Sequence, residues 1–150
     1  MRAVIQRTIN ASVYVKDKNI AEIDKGLLIF LGIEIDDTSE DVKWLASKIA
    51  LMRIFSDING KMNKSIIDID GSILLVSQFT LHAKTRKGNR PSFVRSARPE
   101  KAINLYEEFK KEISNTIGKN IKFGEFGADM KVSLTNDGPV TIIIDSKIKE

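Results

Sequence analysis

The chain has no cysteine and only one histidine, His82. The first absence excludes disulfides, thiol nucleophiles and thiolate metal sites. The second leaves a zinc ion one imidazole and carboxylates, a poor ligand set for that metal, so no metal or other cofactor is expected. A Ser-His-Asp triad would have to use His82, which lies too near Ser77 and Thr80 in sequence, on the exit side of a strand, to serve as their base. It reads as a half-exposed surface residue. Long hydrophobic runs are missing too: the longest, Gly26 to Ile35, carries Glu34 and is too short to cross a bilayer. The apolar start breaks at Gln6-Arg7, unlike a signal peptide, and a cytoplasmic protein with no membrane partner is expected. Repeats, low-complexity tracts and Pro/Gly-rich linkers are also absent. At 150 residues this suits one domain over 1–150.

Acidic residues are lacking in one stretch in particular. Lys84, Arg86, Lys87, Arg90, Arg95 and Arg98 follow one another with no Asp or Glu between them, so against a net charge of +4 the rest of the chain is slightly negative. The excess positive charge is local. It suits either a solvated loop or a segment that contacts phosphates.

Apolar alternation and β-branched content predict strands over Met1 to Ile9, Ala11 to Val15 and Ile20 to Ile23, and a central strand within Gly26 to Ile35. Asp37 or Thr38 can cap a helix with Val42, Leu45, Ala46, Ile49 and Met52 on its apolar face. Pro99 suits the first turn of a second helix, with Ala102, Leu105, Tyr106, Phe109 and Ile113 inward and Gly118 at its end. Strands are expected at Ser72 to Val76, Ile121 to Phe123, Asp129 to Asn136 and Val140 to Asp145, the last two forming a hairpin about a Gly-Pro corner. The order predicts an α+β fold: a curved, mainly antiparallel, barrel-like sheet with two principal helices packed on it.

Two segments place polar groups inside strand-like apolar runs, Ser77-Gln78-Phe79-Thr80-Leu81 and Asn136-Asp137-Gly138-Pro139-Val140-Thr141. Buried polar groups are costly unless partnered, although each segment also suits an ordinary strand end or turn. Taken together, and with Arg2 to Arg7, Gly26-Leu27-Leu28, Arg53 to Asp57, Gly60 to Asn63, Arg90 to Phe93 and Ala128-Asp129-Met130, they resemble the D-aminoacyl-tRNA deacylases. These enzymes hydrolyse D-amino acids from mischarged tRNA, a proofreading step in translation.

The resemblance implies a homodimer that hydrolyses the ester of D-aminoacyl-tRNA, with glycyl-tRNA a further candidate, and whose partner is the tRNA acceptor end. It implies that Ser77, Gln78, Phe79 and Thr80 form the catalytic segment, with the Phe79 N–H facing the ester carbonyl and the ribose 2′-hydroxyl of the substrate assisting. Ala102 and Phe126 match positions that receive the adenine, and Met130 belongs with them. Gly138-Pro139 is implied to be a cis peptide that enters the partner's site and excludes L-amino acids. Arg86, Lys87 and Arg90 are candidates for the tRNA backbone.

Hydrolysis needs an oxyanion site, a nucleophile and a proton acceptor, and backbone N–H groups at a strand end can supply the first. A covalent Ser77 or Thr80 would need a base nearby, and the motif holds none, so direct hydrolysis is preferred. A non-catalytic RNA-binding module and an editing domain for another mischarged tRNA remain as alternatives.

Overall fold

The computed structural model describes residues 1–86 and 88–149. The alternation at the start of the chain forms one unbroken strand, β1 (Arg2–Val15), rather than two. Lys16 and Asp17, both at positive φ, turn it into β2 (Lys18–Ile23), and β3 (Gly26–Gly32) follows. Helix α1 (Ser39–Leu51) starts where the Thr38 N–H donates to Asp41 Oδ2 at 2.9 Å, a capping-box contact. Next come a short hairpin, β4 (Phe55–Ser56) and β5 (Met62–Lys64), and then β6 (Ser72–Ser77). A 3-10 turn at Phe79–His82 precedes α2 (Pro99–Ile117), which ends at Gly118 with φ 73°. The chain finishes in β7 (Lys122–Phe123) and β8 (Met130–Asp145).

The sheet runs β2-β1-β3-β6-β7, with β8 on the free edge of β1. All three pairings of β1 are antiparallel, whereas β3–β6 and β6–β7 are parallel, so the sheet is mixed. The parallel pairs follow from the connections: α1 lies between β3 and β6, and α2 between β6 and β7, and a helical crossover returns the chain to the same direction. Because β2 also lies against β6 and β7, the sheet curls toward a barrel.

Both faces of the sheet are apolar. Ala3, Ile5, Leu27, Ile29, Leu31 and Leu75 meet Leu45, Ile49, Leu105 and Phe109 of the helices in the larger core. Inside the curl, Val13, Leu28, Leu74 and Val76 form a smaller one. Each Val, Leu, Ile or Phe side chain among them contributes about 1.5–3 kcal/mol when fully buried. The Met1 ammonium is buried with them and bonds the Asp37 carboxylate and Ser146 Oγ. Among the described residues no helix is long and apolar enough to cross a membrane.

The expected terminal hairpin is not formed. Met130 to Asn136 pairs with Val15 to Thr8, and Thr141 to Asp145 pairs with Gln6 to Arg2, so both halves of β8 follow β1 in one direction. Asp137 to Val140 bulge out opposite the single residue Arg7. The turn chemistry of Asn-Asp-Gly-Pro is used to leave the ladder and rejoin it, and both flanks keep the long apolar edge of β1.

Candidate active site

Strand β6 delivers the first motif to the edge of a cavity. Ser77 is its last residue, the Gln78 N–H still donates to Leu31 O at 2.8 Å, and the chain then tightens into the 3-10 turn. The ladder stops there, so the N–H groups of Phe79 and Thr80 meet no backbone acceptor among the described residues. Gln78 Nε2 donates to Thr80 Oγ1 at 2.5 Å, tying the two polar side chains together across the turn. Gly32 permits this approach: a Cβ there would lie 2.9 Å from Gln78 O and 3.0 Å from both Leu81 Cβ and His82 Cδ2.

The cavity encloses about 520 Å³, room for a nucleoside-sized group. Ser77, Gln78 and Phe79 lie along it with Ser96, Ala102, Phe126 and Met130. Ala102 comes from the first turns of α2. Phe126 meets Tyr106 edge to face at 5.6 Å between centroids, and the Tyr106 hydroxyl donates to Leu75 O at 3.2 Å. Burial pushes the Tyr106 phenol well above its usual range, with the Glu107 charge adding to it, so it stays a neutral donor and holds the Phe126 ring against β6. Phe79 itself is 57% exposed, with its ring edge on Phe93.

Thr80 belongs to the turn but does not line the cavity. Gly138 and Pro139 do not line it either. They sit exposed on the β8 bulge, joined by a cis peptide. Arg7 carries that bulge: its Nη1 donates to Ile54 O at 2.6 Å, and its Nε is shared between Asp137 O at 3.2 Å and Asp137 Oδ2 at 3.1 Å. Below it, Asn136 Oδ1 accepts from the Val140 N–H at 2.9 Å, and Asn136 Nδ2 donates to Thr141 Oγ1 at 3.0 Å. Gly138 has φ 126°, and a Cβ there would meet Val140 Cγ2 at 2.8 Å and Arg7 Nη2 at 3.1 Å.

Arg86 and Arg90 lie exposed on a loop closed by paired bonds between Lys84 and Ser92, at 2.8 and 3.0 Å. Lys87 lies outside the described residues. Among the described cations of the stretch, Arg95 is the one whose side chain meets a carboxylate, its Nε bonding Glu34.

His82 corrects the expectation of a surface residue. It is 3% exposed, packed behind the turn, with Nδ1 4.0 Å from Glu34 Oε2. Two further residues were not singled out from sequence, Arg7 and Ser96. Arg7 carried a signal: it is a cation at an inward position of β1, in phase with Ala3 and Ile5. Ser96 carried none.

The arrangement can bind a planar ring between Ala102, Met130 and Phe126 and present two unpaired N–H groups to an oxygen at the rim. A family model described as D-Tyr-tRNA(Tyr) deacylase matches residues 4–145. A relative from Akkermansia muciniphila named D-aminoacyl-tRNA deacylase is 60% identical over 150 residues, the whole of both chains. Among solved structures, one described as c-Myc DNA Unwinding Element Binding Protein aligns with a TM-score of 0.92 and 41% identity, covering 97% of this chain and 98% of that one. Another, described as a probable eukaryotic D-amino acid tRNA deacylase, shares the fold, with a TM-score of 0.84 at 17% identity over 95% of this chain and 97% of its own. With its two motifs set at a cavity rim and on a strand bulge, this chain belongs to the D-Tyr-tRNA(Tyr) deacylase family.

Proposed function

We propose that the protein hydrolyses the ester of D-aminoacyl-tRNA, releasing tRNA and a D-amino acid. The observation that carries this reading is the cavity rim, where the chain leaves β6 after Ser77 and Gln78 and the Phe79 and Thr80 N–H groups meet no backbone acceptor among the described residues, beside a ring-sized space. The terminal adenine enters between Ala102, Phe126 and Met130, where an aromatic can stack on it. The ester carbonyl turns to the Phe79 N–H, which stabilises the oxyanion as water attacks. Ser77 and Gln78 bind the ribose and ester oxygens. Among the described residues no base is hydrogen-bonded to Ser77 or Thr80: His82 is buried behind the turn, with Nδ1 4.0 Å from Glu34 Oε2. Water assisted by the ribose 2′-hydroxyl therefore serves better than a covalent serine or threonine.

The exposed Gly138-Pro139 bulge acts on the chirality of the substrate. With the carbonyl held at Phe79 and the amine near the bulge, a D side chain points outward and an L side chain meets backbone, so one hand is rejected whatever the side chain. Glycyl-tRNA has nothing to clash and passes the same filter. Within one chain the bulge does not reach the cavity, so it serves the site of a second copy, and the protein works as a homodimer. The support for that surface is apolar: Val4 is in register with both Phe30 and Ile143 on the sheet face away from the helices, and Ile143 is 68% exposed. Arg86, Lys87 and Arg90 meet the acceptor-stem phosphates, and the whole chain acts as one domain where translation takes place, in the cytoplasm.

Matched D- and L-aminoacyl-tRNAs test this directly. Turnover of the D-ester with the L-ester spared is the expected result. Tight RNA binding without turnover would make the protein a binding module, and cleavage of a mischarged L-aminoacyl-tRNA would make it another kind of editing domain.

A further inference from the structure

Glu34 is the one acid in the run from Gly26 to Ile35, and it sits 5% exposed just beyond β3. A buried carboxylate is costly unless paired. This one is paired on one side, where Oε1 accepts from Arg95 Nε, and on the other its Oε2 packs 4.0 Å from His82 Nδ1. His82 belongs to the turn that carries Phe79, and its Nε2 is buried with no hydrogen-bond partner among the described residues. Arg95 belongs to a segment laid against Glu34 by main-chain bonds, Ile35 N–H to Arg95 O at 3.0 Å and Ala97 N–H to Ile33 O at 2.9 Å. Ser96, between them, donates from Oγ to Phe79 O at 2.9 Å.

In a trans peptide the C=O and N–H point opposite ways. Holding Phe79 O therefore fixes the direction of the Thr80 N–H and, through the shared Cα, restricts that of Phe79.

We infer that Glu34 is a positioning residue for the hydrolysis: its carboxylate holds Arg95 in front of the turn and His82 behind it, so that Ser96 locks the Phe79–Thr80 peptide in the orientation the ester oxygen needs. This rests on the reading that the N–H groups of the turn face the ester. It also takes Arg95 out of the set of cations that serve phosphate. Glu34 touches no substrate atom and acts only through Arg95, Ser96 and His82. The loop bearing Arg86 and Arg90 ends in the same segment, so phosphate contacts and the turn share one support.

Glu34→Gln tests the inference in the full-length protein. The amide keeps the volume but has a single acceptor oxygen, so its NH₂ must face either the guanidinium or the imidazole. Removal of one oxyanion donor costs about 10²–10³ in kcat, and a displacement of about 1 Å can cost about 10²-fold. A loosened donor should thus lower kcat by roughly 10- to 100-fold, with KM for the D-aminoacyl-tRNA changed less than about threefold. Hydrogen exchange of segment 78–83 should quicken by at least about tenfold. Ser96→Ala, at a half-exposed hydroxyl that leaves the core untouched, should act in the same direction. The double variant should lose little more than the worse single one, because both act through one peptide.

Unchanged exchange over 78–83 in Glu34→Gln overturns the clamp. A raised KM with normal kcat overturns it too, by placing Glu34 in tRNA binding through Arg95. Quickened exchange with normal kcat overturns the role in hydrolysis and puts the fault on the chemistry assigned to the turn. Wild-type protein that fails to cleave the D-ester overturns the hydrolytic reading itself, and exchange then decides for or against the clamp alone. Should Glu34→Gln fail to fold, Ser96→Ala decides by the same two readouts.

Discussion

Replacing Arg7 with methionine should unlatch the bulge while keeping most of the buried volume. Arg7 is 9% exposed, and its guanidinium bonds Ile54 O, Asp137 O and the Asp137 carboxylate. Hydrogen bonds from charged donors contribute about 1.5–3 kcal/mol each. Two effects reduce the total: one N–H is shared between two acceptors, and Asp137 is 38% exposed, so water can resolvate it. A loss of about 2–4 kcal/mol follows, which for a chain of this size lowers Tm by roughly 5–15 °C. The chemical consequence is more specific than the thermal one. A bulge no longer tied through Asp137 and Arg7 to Ile54 drifts by an ångström or more, and a steric filter fails at that scale, whereas the cavity rim is untouched. The variant should keep D-ester turnover within about tenfold and gain L-ester turnover by at least about tenfold, a change of about 1.4 kcal/mol in discrimination. Arg7→Lys, which can satisfy only part of the set, should fall between. Calorimetry and deacylation of paired D- and L-substrates measure both effects. A Tm within about 1 °C of wild type, with discrimination intact, would refute the assignment of Arg7 as the anchor.

Asp37→Asn leaves the buried Met1 ammonium without its carboxylate and weakens the acceptor of the Glu34 N–H at 2.7 Å, and should cost about 3–5 kcal/mol, read as a lowered denaturant midpoint at constant slope. Burial alone would raise the Asp41 carboxyl, but the Lys147 side chain, Ser146 and the Thr38 N–H outweigh it and hold the group well below the usual carboxylate range; Asp145 is likewise lowered, burial being outweighed by the Lys147 N–H and Arg2. Both carboxyls bind protons more weakly folded than unfolded, so their stabilisation is present above about pH 4 and is lost as pH falls further, and a Tm constant between about pH 5 and pH 2 would contradict the pairing. Neutralising Arg86 and Arg90 together should weaken tRNA binding uniformly and reduce the salt slope by about 1 for each phosphate they no longer neutralise; an unchanged slope would make the loop a solvated one.

The helices were legible because their signals are local. Thr38, Pro99 and Gly118 mark the ends, and the apolar spacing fixes the buried faces. The two parallel pairings were not, because they depend on which strand a helix returns to, and nothing in the pattern of β6 or the two-residue β7 encodes a neighbour. The hairpin of β4 and β5 escaped notice because its strands are too short for alternation and the Asp57 side chain secures the connection, accepting from Asn59 N–H, Lys61 N–H and Asn63 Nδ2. The bulge was misread for an instructive reason: Asn-Asp-Gly-Pro carries the same residues whether a chain reverses or merely sidesteps. The deciding signal lay elsewhere, in the inward cation of β1 that faces the extra residues. His82 was misplaced by the same kind of argument. It is buried 4.0 Å from Glu34, 48 positions earlier, and a single acid in an apolar run read only as an interruption.

Both functional segments are tied to β1 at positions far apart. Arg2 donates to Leu81 O at 2.8 Å and so grips the turn, while Arg7 grips the bulge. Five steps along the strand, from Arg2 to Arg7, separate the two anchors by roughly 16 Å, more than one aminoacyl ester spans. That spacing supports the proposed reading, in which a second copy supplies the bulge. Mixing two defective variants separates these cases. Phe79→Pro removes the N–H donor at a position where proline suits the first turn of a helix, and should be inactive on either ester. Arg7→Met should cleave both. If sites are shared, an excess of Phe79→Pro chains co-folded with Arg7→Met chains drives nearly every Arg7→Met turn into a mixed dimer, where it faces an intact bulge. The L-ester turnover per intact turn should then fall back toward the wild-type level while D-ester turnover persists. Were each site built within one chain, the inactive partner would only dilute the mixture, and the D-to-L ratio would stay that of Arg7→Met alone. An unmoved ratio, in a sample shown by mass spectrometry to contain mixed dimers, would defeat the shared-site account.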